Sequence, residues 1–466
     1  MTMKPTLIAS ACTLALAAAS VPAQAQSKKE FEALRKELQL LRAEVAELKK
    51  AHAAEQAQVA QATQDAKAAQ EKAAQVQTAQ AEAAKAKPTE QQAVLNDRVE
   101  ALEIKSKDSV VKGDIDGSFR LPGSETSVKI YGYAEAHAIH DFGKKAPDDL
   151  FTNLMFQPTP SEAAGDPSLA QKGKTSFTAS TSRFGFDTST PTRHGTFNTR
   201  IEADFYSYGE GNRNRLRLRH AYGEYAGFLV GQTWSTFMDV DDLPETVDFN
   251  GPIGSPFSRR AMLRYTWGDA KAGYKFAFAA EDPHDQFGGG SSGEKMPELV
   301  ARFDKSFDWG AVNIRALSHE KRSFAETRRG YGFGIGGSYK LSDKDTLLGQ
   351  FAVVKGDFDQ MYGSNGYSID PDTGAITMDR NKGFVLGYAK VFNEQLRGNL
   401  VLGYNRASTA TGNLANKRLT QVHAGVIYSP FKNVELGAEA IYGLRETFDD
   451  EKGRMGRIDL MGRYSF

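Results

Sequence analysis

The chain has 466 residues with 58 basic and 58 acidic side chains, so its formal charge is zero and nucleic acid is not an expected partner. Its mean hydropathy is −0.48 and no run of about twenty apolar residues occurs, which excludes a helical membrane span. A polar average does not exclude a membrane barrel, whose strands hide their apolar face by alternation.

The N-terminus carries Lys4, an apolar run from about Thr6 to Val21, and Ala23-Gln24-Ala25, a small-x-small cleavage pattern before Gln26. Residues 1–25 read as a secretory signal peptide. The rival reading, lipid modification of Cys12 after Ala9-Ser10-Ala11, leaves too short an apolar core. Cleavage after Ala25 leaves a mature chain without cysteine, so neither disulfides nor thiolate metal sites are expected.

Residues 26–87 read as a periplasmic coiled coil. Phe31, Leu34, Leu38, Leu41, Val45 and Leu48 recur at steps of three and four, the a/d seam of associating helices. With Phe31 at a, Glu30, Glu37 and Glu44 fall at g, and Arg35, Arg42 and Lys49 at the following e positions. That charge order favours parallel self-association over a lone solvated helix. Two or three strands both remain open. If continuous, the helix extends about 90 Å. Residues 88–126 read as a linker with a short helix, on the spacing of Leu95, Val99 and Leu102 after Pro88.

From residue 127 to 466 the apolar period is two. The stretch 195–234 shows the unit: Phe197, Ile201, Ala203 and Phe205 alternate with Asn198, Arg200, Glu202 and Asp204, and Leu216 and Leu218 with Arg215, Arg217 and Arg219. In a soluble sandwich the charges would meet water outside; in a membrane barrel they line a wet interior. Short connections, among them 191–195, 226–227, 305–310 and 429–433, alternate with long ones at 141–175, 234–258, 281–296, 356–381 and 406–416. Strict alternation of connection length with an even strand count predicts a transmembrane β-barrel of about sixteen antiparallel strands in the bacterial outer membrane, preceded by the α-helical coiled coil. Tyr331, Phe333, Ile335 and Tyr339, with Leu436 and Tyr442, mark lipid-facing positions. The final strand ends on Phe466 and is expected to close the barrel.

The connection 234–258 follows the fifth strand, and there Asp239, Asp241, Asp242, Glu245 and Asp248 form an acidic set. Arg183, Arg200, Arg217, Arg219, Arg260 and Arg264 lie on the polar side of their strands and form a basic set. The two are expected to face each other across a constriction that filters small anionic solutes, with ion pairing that stiffens the wall as the plainer reading. Gly332, Gly334 and Gly337 fit a dinucleotide spacing but precede no helix, and read as close subunit contact or an uncluttered lumen. Asp370, Asp372 and Gly374 read as a polar surface turn, not a calcium loop. His137, His140, His220, His319 and His423 show no metal-ligand spacing, and no catalytic residue, metal or cofactor is expected.

The chain resembles the DcaP-like family of trimeric outer-membrane porins, which join a periplasmic coiled coil to a sixteen-stranded barrel. The resemblance rests on Ser182-Arg183-Phe184-Gly185-Phe186-Asp187-Thr188, Ile201-Glu202-Ala203-Asp204-Phe205, Leu216-Arg217-Leu218-Arg219-His220-Ala221-Tyr222, Gly231-Gln232-Thr233-Trp234-Ser235-Thr236-Phe237-Met238-Asp239 and Asp248-Phe249-Asn250-Gly251-Pro252. It implies a homotrimer in outer-membrane lipid that passes small anions, with dicarboxylates as the substrate class. The alternative is an envelope protein whose coiled coil tethers the outer membrane to peptidoglycan or a periplasmic protein.

Overall fold

A computed structural model describes residues 94–100, 111–144, 154–207, 215–284, 293–411 and 415–466, together with Lys67 and Glu71. The expected signal peptide and the heptad seam from Phe31 to Leu48 lie outside the described residues. The chain divides into two compact units, Met1–Glu103 and Ile104–Phe466. Within the first, residues 94–100 are helical and expose Val94, Leu95 and Val99.

The second unit is a closed antiparallel barrel of sixteen strands. They are β1 (Ser127–Lys144), β2 in two pieces (Lys172–Thr178 and Arg183–Thr192), β3 (Gly195–Asp204), β4 (Arg217–Tyr225), β5 (Phe228–Trp234) and β6 (Arg259–Asp269). There follow β7 (Tyr274–Glu281), β8 (Glu298–Phe307), β9 (Gly310–Arg322), β10 (Thr327–Lys340) and β11 (Asp345–Lys355). The last five are β12 (Arg380–Val391), β13 (Leu396–Arg406), β14 (Asn416–Phe431), β15 (Val434–Thr447) and β16 (Lys452–Ser465). Each strand pairs with the next, and β16 returns to β1 from Arg457↔Asp141 to Ser465↔Tyr133. Phe466 N donates to Gly132 O at 3.0 Å, and Gly132 N to Phe466 O at 3.3 Å, so the terminal residue itself completes the seam.

Side chains obey the period of two. Ile201, Leu218, Val230, Leu263, Tyr331, Phe333, Ile335, Leu436 and Tyr442 are exposed on the outside, where lipid replaces water as the solvent for apolar groups. Near the short-turn end, Phe307, Trp309 and Tyr339 stack at 4.7 and 5.6 Å and form part of an interfacial girdle. The inward positions carry the polar residues. One irregularity matters: Glu202 opposes His220 while Ala203 opposes Leu218, so Arg219 is the extra residue of a β-bulge. Before the bulge the odd-numbered residues of β4 face inward. After it Tyr222 opposes Arg200 and Ala221 opposes lipid-exposed Ile201, so the even ones do.

The short connections share one end of the barrel and the longer ones the other. At the longer end, the segments 323–326 and 448–451 are brief, so length alone does not mark that face. The connection between β11 and β12 carries its own hairpin, Tyr367–Ile369 paired with Ile376–Met378. At its tip Asp370 Oδ1 accepts from the backbone N–H of Asp372 and Thr373, the self-contained polar turn that the residues suggested. His137 faces inward and is buried, whereas His140 bonds Thr175 and packs edge-on against lipid-exposed Phe142, so the two lie on opposite faces.

Candidate functional site

The connection after β5, residues 235–258, enters the barrel and runs along its inner wall. Its first limb is held through its own backbone and carboxylates. Thr236 N donates to Glu281 Oε1 at 2.7 Å, and Arg315 and Arg302 donate to the carbonyls of Phe237 and Met238 at 2.8 and 2.6 Å. Phe237 is fully buried among Ala279, Val300, Leu317, Ala352, Val354 and Met361, an apolar anchor in an otherwise polar lumen. Asp239 accepts from Asn313 at 2.6 Å and from Arg302 at 3.2 Å. Further on, Glu245 takes both arms of Arg397 at 2.8 Å each, and Pro244 lies over Gly387.

The wall beneath this limb is made of glycine for a spatial reason. A Cβ on Gly332 would stand 3.0 Å from the Phe237 ring, and one on Gly336 would stand 2.2 Å from Asp239 Oδ2. The inward glycines Gly332 and Gly336 therefore seat the loop, and the lumen above them is filled; Gly337 lies on the outward face with Ile335 and Tyr339.

Asp242 is 3 % exposed and sits in the loop, outside the spanning strands. Burial first, then the neighbouring Asp239 carboxylate with Asp241 behind it, push its carboxyl up to about 6, against an opposing hydrogen bond from Ser338. Arg302 and Arg315, the cations on this side, are directed at Asp239. Since the folded value is raised above the unfolded one, the native state holds an extra proton between the ordinary carboxylate range and about pH 6. Stability therefore falls as pH rises through that window and is lowest above it. The heat-dissociation midpoint of the barrel is expected to be lower at pH 8 than at pH 5, and Asp242→Asn to remove most of the difference. Equal midpoints for the wild type at the two pH values would refute this assignment.

At Asp248-Phe249-Asn250-Gly251-Pro252 the loop bends back. Asp248 N donates to Glu439 Oε2 at 2.9 Å and its carboxylate meets Arg457 at 3.4 Å. Phe249 packs edge-on to Tyr206 at 5.1 Å and lies under the guanidiniums of Arg217 and Arg219, at 5.6 and 5.8 Å. On the return limb Ile253 N donates to Gln421, and Gly254 adopts φ +91° where a Cβ would meet Tyr404 O at 2.1 Å. The tip thus brings an aromatic ring to the arginines of β4.

The acidic and basic sets do not answer one another as expected. Asp239, Glu245 and Asp248 are taken up by Arg302, Arg397 and Arg457 of the wall, Asp242 shares Asn313 with Asp239, and Asp241 is exposed. The basic set is matched within its own strands. Arg217 grips Asp204 through two bonds of 2.9 and 2.6 Å, and Arg219 reaches Glu202 at 2.7 Å and Asp204 at 2.9 Å. Arg183 approaches Glu202 at 3.5 Å, and Arg200 holds Asp187 twice at 2.8 Å. Arg260 leaves the ladder: it is 1 % exposed and bonds Asp357, Asp282 O and His284 O at the long-loop end. Arg264, between Leu229 and Ala279 on the inner wall, has no hydrogen-bond or ion-pair partner among the described residues.

Arg259 is a member that the alternation did not single out. Its guanidinium lies 3.7 Å from the centre of the Trp234 ring, which Arg219 also approaches at 5.9 Å. Arg183 and Arg463 approach the Tyr133 ring at 5.0 and 4.7 Å. Four guanidiniums, of Arg183, Arg217, Arg219 and Arg259, thus gather on one stretch of wall beside the loop tip, with Glu202 and Asp204 among them. Such a cluster beside aromatic walls in a wet channel can hold carboxylates or phosphates transiently.

Comparison with known proteins follows the same lines. The profile of the DcaP outer membrane protein family matches residues 53–466. Among solved structures, the barrel is similar to the outer membrane channel DcaP of Acinetobacter baumannii, at 27 % identity and a TM-score of 0.67, over 75 % of this chain and 100 % of that one. The anion-selective porin from Comamonas acidovorans, at 12 % identity and a TM-score of 0.53, covers 73 % of this chain and 100 % of its own. Salmonella typhi OmpF in complex with daunomycin, at 15 % and 0.51, covers 73 % and 98 %. The last two share the fold alone. No curated protein matches the sequence.

Proposed function

As the chain belongs to the DcaP outer membrane protein family, it is an outer-membrane channel of the porin kind, and we propose that it favours small anions, with dicarboxylates as the preferred class. The observation that carries this reading is the cluster of guanidiniums on β2, β4 and β6 beside the loop tip, joined by Arg264, which makes no hydrogen bond or ion pair among the described residues. A guanidinium offers two parallel donors to a carboxylate, and a series of such groups provides successive weak sites, so a dianion enters and leaves without being trapped. Arg264 and the cluster around Arg217 and Arg219 are the solute contacts in this reading. Arg260, held by Asp357, serves the wall. We assign the working unit as a homotrimer, on the family membership.

Arg264→Ala is the direct test because Arg264 makes no hydrogen bond or ion pair among the described residues. Its loss should weaken current block by a small dicarboxylate such as succinate by about tenfold, the equivalent of one charge-assisted hydrogen bond. Arg264→Lys should retain part of the block. Unchanged block in planar bilayers with Arg264→Ala would remove that residue from the solute path.

A further inference from the structure

At the long-loop end, the start of β8, the end of β9 and the segment after β11 bring together Glu298, His319 and Asp357. These residues are 0, 1 and 0 % exposed, and one ligand atom from each lies within 4.8 Å of the others. His319 Nε2 hydrogen-bonds the Lys355 carbonyl at 2.9 Å; as the donor there it leaves Nδ1 as a bare lone pair, which has no partner among the described residues. Glu298 gives Oε1 to Gln360 and keeps Oε2 free. Close by, Glu281 Oε2 is likewise a buried acceptor without a donor. Buried acceptors in such number demand a positive centre. Arg260 and the backbone N–H groups of Asp359 and Gln360 serve Asp357 at 3.1, 2.8 and 2.8 Å, and Lys321 is paired with Glu294 at 3.4 Å, so no donor among the described residues reaches Glu298 Oε2 or Glu281 Oε2.

We propose that Glu298, His319 and Asp357 bind a divalent transition-metal cation, zinc being the best match. One imidazole with two carboxylates suits zinc, which takes such ligands at about 2.0–2.2 Å, better than the all-oxygen cages of calcium or magnesium. The Lys355 carbonyl is the outer partner that fixes the imidazole tautomer, as ligating histidines require. The site has a structural consequence. Asp357 belongs to the same short segment as Met361 and Tyr362, and Tyr362 exchanges backbone hydrogen bonds with Gly254 and Ser255 of the in-folded loop at 3.0 and 2.8 Å. A bound cation clamps this segment to β8 and β9, and through it both limbs of the loop.

The test uses the untagged full-length protein, stripped with chelator and titrated with zinc, with bound metal counted by mass spectrometry and the heat-dissociation midpoint followed in parallel. One zinc per chain and a raised midpoint are expected. Glu298→Gln and His319→Gln should each weaken zinc binding by at least about tenfold while the barrel still forms. Should either fail to assemble, Asp357→Asn serves as the second reading of the same loss. Absence of stoichiometric zinc, its retention in the variants, or equal binding of calcium overturns the proposal.

Discussion

Replacing Arg217 and Arg219 together by alanine is expected to abolish anion preference and to destabilise the barrel. Asp204 and Glu202 are 0 and 5 % exposed; Asp204 is paired with both guanidiniums, and Glu202 would lose Arg219 and keep only Arg183 at 3.5 Å and Tyr131. Removing one side of a buried ion pair costs about 3–5 kcal/mol, because the remaining charge is left without water or partner. The local positive charge falls by two at the same time, so the reversal potential in a salt gradient should move from the anion side towards neutrality. A second variant separates the effects. Adding Glu202→Gln and Asp204→Asn to the double substitution removes the stranded carboxylates and returns the local net charge to its wild-type value. Stability and anion preference should then both recover. Loss of stability with unchanged anion preference in the double variant would show that these arginines act as struts and not as a filter.

The second large effect is expected from Gly336→Leu. Its Cβ alone falls 2.2 Å from Asp239 Oδ2, so the first limb of the in-folded loop must lift off β10 and intrude on the lumen. Overpacking of this kind costs about 1–3 kcal/mol, and Asn313 and Arg302 lose their carboxylate as well. Single-channel conductance should drop and the open current become noisier. Ile335→Leu, on the lipid side of the same strand, should change neither. A normal, quiet conductance with Gly336→Leu would mean that the loop does not bound the open path.

The barrel was legible in the sequence because alternation is a local signal. Tyr331, Phe333 and Ile335 announce their face within five residues, and the place of the constricting loop after the fifth strand follows from counting connections. What escaped depends on register between distant strands. Asp239 finds Arg302, Glu245 finds Arg397 and Asp248 finds Arg457, and nothing local to the loop names those partners. Alternation puts Arg260 on the polar side of its strand, yet only the fold shows that Asp357 takes it out of the ladder. The bulge at Arg219 is invisible to a period-two reading, which places His220 outside, whereas the fold buries it against Thr233. Glu298, His319 and Asp357 come from three separate stretches, so a search for ligand spacing along the chain passes over them. The glycines of β10 gave a true signal with an incomplete explanation: a missing side chain marks close approach, but only the fold says by what.

The seam between β16 and β1 bears on how the molecule is made. Across it stand Arg457 with Asp141 at 2.8 Å, His137 with Asp459 at 2.9 Å, and Arg463 with Glu135. These pairs join the two ends of the unit, over more than three hundred residues, so none of them exists until every intervening strand is in place. Up to that moment both margins of the sheet present unpaired backbone groups and unmatched charges. Closure therefore needs both margins of the sheet at once, and its interior charge pairs favour one register of the seam. A sheet that wraps one residue out of step sets its charges towards lipid and cannot latch.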